Sequence, residues 1–414
     1  MISLIPHALG TADDLASALP DWTTAWHGDP PSGARHWPQS LAGGASGIAL
    51  LHVERARSGH GDWKSAHTWL AAAVSGELSA AANASLYFGA PALAYVLHIA
   101  AATSSRYRRA LAVLDEATLH VTRTRLAEGH ARLDRTERAT MREFDLIRGL
   151  CGLLTYHLSR HPDHQVTRDL LSYLVRLTEP IPDPDRLPPW WTSVAPNGEP
   201  SSEYPHGHGN LGLSHGIGTA MAVISLALLR GLNVPGLADA LGRICAWTDQ
   251  WRQGDPDTAW WPGLITIEQA REKYVAPANR PRPSWCYGIS GTARAQQLAG
   301  LALREPERRQ AAESAMLASL RDSTQRDSLL PEIGLCHGAA GQLHATWRMA
   351  TDAASPQLAA ELPRLTARLI TALTRPGLAN PELLDGTAGA ALALHTVGTG
   401  SACAPHWDAF LALA

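Results

Sequence analysis

Ser284-Trp-Cys-Tyr-Gly-Ile-Ser-Gly291 is the segment that decides the fold, because a glycine turn there leads directly into an apolar, helix-like run. The same arrangement returns in Gly334-Leu-Cys-His-Gly-Ala-Ala-Gly341. Each segment also places a potential metal ligand just before the turn. Two equivalent turns, each carrying a cysteine, indicate a repeated structural unit that also holds reactive side chains.

Seven copies of this unit occur along the chain, and five of them fit Gly-x-x-Gly. Successive first glycines lie between 45 (89 − 44) and 72 (288 − 216) residues apart, a length that holds two helices and their loops. The copies are Gly44–Gly47, Gly89–Ala92, Gly149–Gly152, Gly216–Thr219, Gly288–Gly291, Gly338–Gly341 and Gly386–Gly389.

The segments after these turns are apolar on all sides, which predicts buried helices. Segments between them, such as 108–126 and 306–320, alternate charged and apolar residues at helical spacing and predict outer helices. The sequence therefore predicts an all-α protein, an α/α toroid of seven inner and seven outer helices in one domain, 1–414. The glycines themselves have a simpler explanation, which is that they only cap helices or relieve crowding.

Two longer intervals, roughly 161–204 and 254–283, are rich in Pro, Asp and Trp. Loops of this length are usually functional or carry their own small structure. We interpret them as insertions that form a lid or accessory subdomain over one mouth of the toroid. The alternative is that their tryptophan pairs, 190–191 and 260–261, fill cores within the loops.

Composition excludes several classes of protein. The formal net charge of −3 gives no basis for binding nucleic acid. Five cysteines in 414 residues do not resemble a secreted disulfide framework. The apolar stretch 211–229 contains His215 and several glycines, so a buried helix is favoured over a membrane span. We expect a soluble, cytoplasmic protein without a membrane span, which could join a membrane-associated complex.

Cys286, Cys336 and His337 are the candidate metal ligands. Two thiolates and one imidazole form a set that zinc favours, and three protein ligands leave a fourth position open for chemistry. The alternative is a pair of buried cysteines beside a core histidine, since buried free cysteine is common. The placement of both cysteines in equivalent turns favours Zn²⁺.

Three further residues are candidates for catalysis. His215 directly precedes a turn glycine, as His337 does, and histidine is suited to proton transfer near neutral pH. Asp145 lies one helical turn before Gly149 and either orients a histidine or caps a helix. Arg282 either neutralises a developing oxyanion or binds a loop carboxylate. Of the other histidines, those in polar loops, including His208, are expected at the surface.

Nearly the whole chain resembles the lanthionine cyclases, the lanthipeptide synthetase C-like (LanC-like) family. The motifs that carry the resemblance are Trp-Cys-Tyr-Gly at 285–288, Cys-His-Gly at 336–338, Asn-Leu-Gly-Leu-x-His-Gly at 210–216, Asp-x-x-x-Gly-x-x-Gly from 145 and Arg-x-x-Trp-Cys from 282. The resemblance implies a seven-layered α/α toroid with an accessory subdomain. It also implies zinc on Cys286, Cys336 and His337, with His215 as acid/base supported by Asp145 and Arg282.

The implied activity is the addition of cysteine thiols to dehydroalanine or dehydrobutyrine in a precursor peptide, giving lanthionine rings. The implied partners are that dehydrated peptide and a separate dehydratase, since a chain of this length leaves no room for a fused one. Two alternatives stay open. One is the addition of glutathione to dehydrated residues in proteins, as in the animal branch of the family. The other is a non-catalytic, zinc-containing toroid that binds peptide.

Overall fold

The computed structural model describes residues 5–19, 37–103, 105–329, 332–375 and 380–414, and these are mostly helical. The longer elements in chain order are α1 (Pro6–Ala18), α2 (Ala45–Arg57), α3 (Trp63–Ala73), α4 (Ala90–Ala101), α5 (Arg108–Asp134), α6 (Met141–Phe144), α7 (Leu150–Arg160), α8 (Gln165–Leu177), β1 (His208–Asn210), α9 (Ile217–Leu229), α10 (Leu237–Gln250), β2 (Leu264–Thr266), α11 (Ile267–Glu272), α12 (Ile289–Ala302), α13 (Pro306–Arg321), α14 (Ser323–Asp327), α15 (Ala339–Asp352), α16 (Gln357–Leu373) and α17 (Thr387–Thr399).

The first glycine of every predicted repeat lies directly before a helix. The helices that begin at these glycines are α2, α4, α7, α9, α12, α15 and α17. Nearly all their residues are buried, whichever way the side chain points, as expected for helices that are apolar all round. The sequence prediction of seven buried helices after glycine turns is therefore confirmed.

Steric crowding in the turn explains why glycine begins these helices. The backbone of Gly288 is extended, with φ of −101°, which any residue adopts. A Cβ at Gly288 would however overlap the carbonyl oxygen of Arg282, and one at Gly291 would overlap that of Trp285. The turn folds back onto the helix start, and a side chain at either position would force the two apart.

The chain divides into two compact units, the first formed by Met1–Val121 and Asp327–Asp408. In this unit the inner helices α15, α17, α2 and α4 are successive neighbours. The outer helices α16, α1 and α3 pack on α15, α17 and α2. Helix α16 shows the amphipathic pattern of an outer helix, because its buried leucines, 358, 362, 365 and 369, recur at helical spacing.

The second unit is formed by Thr122–Arg326 and Ala409–Ala414. Its inner helices α7, α9 and α12 are successive neighbours, and the outer helices α8, α10 and α13 pack on them in the same order. The outer helix predicted over 306–320 is α13, and the one predicted from 108 is α5, which contains the boundary between the units. Closure into a seven-membered toroid, and a single domain over 1–414, remain predictions.

The two long intervals meet in a small structure within the second unit. Strands β1 and β2 pair antiparallel, with His208 opposite Thr266, and Arg271 of α11 binds Asp185 at 3.0 Å. The first part of the interval 161–204 is regular helix, since α8 places Leu170, Leu174 and its other apolar residues on one face. That these intervals form a lid stays a prediction.

Buried aromatic residues fill the interior of this small structure. Trp190, Trp191, Trp260 and Trp261 are all buried, and the Trp190 ring meets Trp247 of α10 edge-on at 5.6 Å. The tryptophan pairs therefore act as core residues. His208 is also buried, against our expectation of a surface histidine, because β1 carries it inside. Burial lowers the pKa of His208 to about 4.

Helix α9 contains most of the apolar stretch 211–229, and its residues Ile217–Ala227 are buried in the second unit. This confirms that the stretch is a core helix. In the described ranges of the chain, the structure has no helix that is both long and apolar enough to cross a membrane.

Candidate active site

Backbone hydrogen bonds connect three successive turns in the second unit. The N–H of Leu146 donates to the carbonyl of Ser214 at 3.1 Å, and the N–H of Leu213 donates to the carbonyl of Cys286 at 2.8 Å. Each bond fixes one turn against the next, directly before the buried helices α7, α9 and α12. Three predicted site residues, Asp145, His215 and Cys286, therefore lie on neighbouring turns.

His215 and Asp145 form a close pair across two of these turns. Nδ1 of His215 lies 2.6 Å from Oδ2 of Asp145. The other carboxylate oxygen accepts the backbone N–H of Arg148 at 2.7 Å. One carboxylate oxygen of Asp145 thus contacts the histidine and the other stabilises the local turn. Asp145 does not cap the following helix, because the N-cap residue of α7 is Gly149.

The geometry of the pair determines what the imidazole can do. A carboxylate at Nδ1 accepts a hydrogen bond there and leaves Nε2 as the nitrogen that exchanges protons. Nε2 of His215 has no hydrogen-bond partner among the residues that the structure describes. The His215 side chain is 29% exposed while Asp145 is 1% exposed. A buried acid therefore orients a histidine whose other edge is accessible.

Tyr287 and Asn210 extend this site, and neither was assigned a role from the sequence beyond its place in a motif. The Tyr287 ring lies 6.4 Å from the His215 ring, centre to centre. The Asn210 amide donates to the Tyr287 hydroxyl at 3.4 Å, and its oxygen accepts the N–H of Gly212 at 2.9 Å. Asn210 thereby joins the His215 turn to the tyrosine that follows Cys286.

Cys286 is buried in the turn before α12, with its sulfur 3.5 Å from the Ser284 hydroxyl. Arg282 is half-buried in the segment that enters this same turn, and its carbonyl accepts the N–H of Ser284 at 2.7 Å. The candidate cation and the candidate thiolate ligand are thus parts of one local turn.

Cys336 and His337 form a second reactive pair, in the first unit. The Cys336 sulfur lies 3.6 Å from Nε2 of His337. A sulfur ~2.3 Å and a nitrogen ~2.0–2.1 Å from one tetrahedral zinc ion are about 3.6 Å apart. The side chains of these adjacent residues therefore already have the separation that two zinc ligands need.

Asp385 lies beside this second pair, and it was not among the site residues predicted from the sequence. Nδ1 of His337 lies 3.1 Å from Oδ1 of Asp385. Asp385 directly precedes Gly386, just as His337 precedes Gly338, so its position in the repeat was the signal that could have revealed it. The imidazole thus has a carboxylate at Nδ1 and a cysteine sulfur near Nε2.

Cys286 in the second unit, and Cys336 with His337 in the first, carry donor atoms of the types that a metal ion takes as ligands. Two thiolates and an imidazole suit zinc better than magnesium or calcium, which prefer oxygen ligands. Among the residues that the structure describes, these donors number three, which is the number of protein ligands in catalytic zinc sites, whereas structural sites usually have four. The donor chemistry is therefore consistent with a zinc site.

Comparison with known proteins identifies the family. The profile of lanthionine synthetase C-like proteins matches residues 35–411. The chain belongs to the lanthionine synthetase C-like family. This confirms the resemblance that the turn motifs indicated.

One curated protein and one solved structure illustrate this similarity. The chain is 26% identical over 264 residues to the nisin biosynthesis protein NisC of Lactococcus lactis subsp. lactis, an alignment that covers 62% of this chain and 60% of NisC. Its fold is similar to that of a solved nisin cyclase, with a TM-score of 0.78 and 19% identity over 99% of this chain and 98% of the other. At 19% identity, the match to the nisin cyclase structure is evidence for the fold alone.

Proposed function

We propose that this member of the lanthionine synthetase C-like family is a zinc-dependent peptide cyclase. In this proposal it joins a cysteine thiol to a dehydroalanine or dehydrobutyrine residue of the same peptide, and the product is a lanthionine or methyllanthionine ring. The substrate is a precursor peptide dehydrated by a separate dehydratase, and the reaction takes place in the cytoplasm. Family membership and the similarity to a protein of nisin biosynthesis support the peptide substrate.

The observation that carries the proposal is the 3.6 Å separation of the Cys336 sulfur from Nε2 of His337. It suits two ligands of one zinc ion, and the proposed third ligand is Cys286. A zinc ion held by these donors would lower the pKa of a substrate thiol, so that thiolate is available at neutral pH.

His215 is proposed to move the proton in this reaction. The new bond forms between the thiol sulfur and the β-carbon, and the electrons of the double bond shift toward the carbonyl oxygen as an enolate. The α-carbon must then gain a proton, which is the one the thiol lost. Nε2 of His215 is suited to take up and return that proton because Asp145 holds Nδ1 at 2.6 Å and stabilises the charged ring.

Arg282 is proposed to stabilise the enolate. Negative charge develops on the carbonyl oxygen only during the reaction, and a cation placed near it lowers the barrier. The position of Arg282 in the turn that carries Cys286 supports this role. The alternative is that Arg282 binds the peptide.

A sulfur-donor experiment tests the proposal. A peptide with one dehydroalanine and one cysteine is compared with its Cys-to-Ser counterpart supplied with glutathione, each with the purified chain and zinc. We expect loss of the free thiol without change in mass for the first peptide, which signifies ring closure, and little reaction for the second. Faster addition of glutathione would overturn the cyclase in favour of a glutathione-adding enzyme. Absence of both reactions, with zinc bound by four protein ligands, would favour a non-catalytic protein.

A further inference from the structure

We infer that Asp385 is a positioning residue for the zinc ligand His337. Its contact with Nδ1 selects Nε2 as the ligating nitrogen and holds the ring toward the Cys336 sulfur. The inference rests on the proposed zinc site but concerns this chain's own residues, Asp385, His337 and Cys336, which all lie in the first unit.

The two ring nitrogens of His337 face different groups. Nδ1 of His337 meets Oδ1 of Asp385 at 3.1 Å, whereas Nε2 lies 3.6 Å from the Cys336 sulfur. A neutral imidazole carries one N–H and one free lone pair. A carboxylate at Nδ1 places the N–H there, so the lone pair is at Nε2, on the side of the cysteine. Metal-binding histidines usually donate their other N–H to such a partner, which raises the basicity of the ligand.

Main-chain contacts also bring His337 and Asp385 together. The N–H of Cys336 donates to the carbonyl of Leu384 at 2.9 Å, which fixes the turn of the ligands against the turn of Asp385. Gly334 makes this approach possible, because a Cβ there would overlap the Cα of Asp385. The two turns therefore set the distance between His337 and Asp385 through the main chain.

The pair of His337 and Asp385 is also partly accessible to solvent. The side chains of His337 and Asp385 are 35% and 24% exposed. A purely structural ion pair is normally closed off from solvent, or contributes little at the surface. A partly open pair with one ring nitrogen directed at a thiol is better suited to hold an ion that a substrate must reach.

The experiment compares Asp385→Ala, Asp385→Asn and Asp385→Glu with the parent chain. Zinc affinity is measured by competition with a chromogenic chelator, and Co²⁺ is used as a spectroscopic substitute for zinc. We expect zinc to bind 10–100-fold more weakly in Asp385→Ala, with partial rescue in Asp385→Glu and a changed Co²⁺ ligand-field spectrum. Thermal unfolding of the metal-free proteins should be similar to the parent, which separates positioning from a general structural role.

Asp145→Asn is the matched control, because it alters the other histidine–aspartate pair. We expect its zinc affinity and Co²⁺ spectrum to equal those of the parent. Zinc affinity of Asp385→Ala within about twofold of the parent would overturn the inference, since the loss expected for such a partner is at least tenfold. A parent chain that binds no zinc would overturn the proposed zinc site itself, so the two failures are distinguishable.

Discussion

His215 with Asp145 and His337 with Asp385 are two histidine–carboxylate pairs that differ in what lies near the second ring nitrogen. In both, Nδ1 contacts an aspartate, at 2.6 Å and 3.1 Å. Nε2 of His337 has the Cys336 sulfur beside it, whereas Nε2 of His215 has no hydrogen-bond partner among the described residues.

The difference suggests how one repeated turn serves two chemical purposes. Both histidines directly precede the glycine that begins a buried helix, so the fold presents them in the same local way. In the proposed site, the cysteine one residue before His337 gives that turn two metal ligands. Ser214 stands at the same position before His215, which the proposal assigns to proton transfer. On this proposal, the residue before the histidine determines the role of each turn.

A third pair shows what a structural histidine–aspartate contact looks like. His344 and Arg348 of α15 both bind Asp408, with contacts of 2.6 Å, and the side chains of His344 and Asp408 are fully buried. Burial alone would raise the pKa of Asp408, but Arg348 and His344 outweigh it and hold the pKa below its usual range. This pair has no access to a substrate, and we assign it to stability.

The largest effect is expected for the cysteines. Cys336→Ala and Cys286→Ala should each lose zinc and ring-forming activity, because two remaining donors bind zinc weakly. Both variants should remain folded, since a chain of this length has a large core that does not depend on a metal. Metal analysis and circular dichroism of the same samples test this. If either variant unfolds when zinc is lost, the zinc site is structural. The proposed difference in function between the His337–Asp385 and His215–Asp145 pairs would then fail.

The next effect concerns Arg282. Arg282→Ala should retain zinc and bind dehydrated peptide about as well as the parent, but close rings about 10²-fold more slowly, the size seen for a single oxyanion donor. Arg282→Lys should also be impaired, because lysine lacks the planar fork of arginine. Peptide affinity and single-turnover closure are measured on one peptide. Normal closure at saturating peptide, with weakened binding, would assign Arg282 to substrate binding.

A smaller loss is expected for Asp145→Asn. The amide still contacts His215 but no longer stabilises the charged ring, so closure should slow by roughly 10–100-fold, as for other partners that orient a histidine. Zinc content should not change. Single-turnover closure alongside metal analysis checks both points. An unchanged closure rate would mean that Asp145 serves only the turn that it forms with Arg148.

The smallest effect on turnover is expected for Asp408→Asn. This change should leave zinc content and ring closure near those of the parent but destabilise the fold by about 3–5 kcal/mol, the cost of leaving a buried partner unpaired. Because the pKa of Asp408 is lowered in the folded chain, the Asp408 carboxylate stabilises the fold at pH values above the ordinary pKa range of aspartate. This stabilisation is lost as the pH falls below that range. Urea unfolding of the parent and the variant at neutral and acidic pH measures both the loss of stability and its dependence on pH. A variant as stable as the parent at neutral pH would contradict the structural assignment.

The fold was largely predictable because its signal is repeated. Seven glycine turns, each followed by an apolar run, predict seven buried helices, and each copy supports the others. The crowding that requires glycine, as at Gly288 and Gly291, is itself the physical origin of the motif. The intervals 161–204 and 254–283 carry no repeat, which is why neither the helix α8 nor the strand β2 was predicted, and with β2 its pairing to β1 just after the first interval was missed.

The candidate site was predictable where side-chain chemistry is rare and concentrated. A cysteine next to a histidine before a glycine turn is uncommon, and so Cys336 and His337 were apparent. Asp385 was missed because a single aspartate before a glycine is an ordinary turn feature. Its importance comes from a contact across 48 residues of sequence, which depends on how neighbouring turns pack. His208 was misjudged for a similar reason, since strand pairing buried it.

The most direct test of the account compares His215→Ala with His337→Ala, prepared side by side and assayed for zinc content and single-turnover ring closure. The account predicts that His215→Ala retains the zinc content of the parent yet closes rings ~10²–10⁴-fold more slowly, the usual contribution of a general acid–base group. It predicts that His337→Ala loses zinc and closure together. Loss of zinc from His215→Ala would make this histidine a ligand and contradict the division between the two pairs.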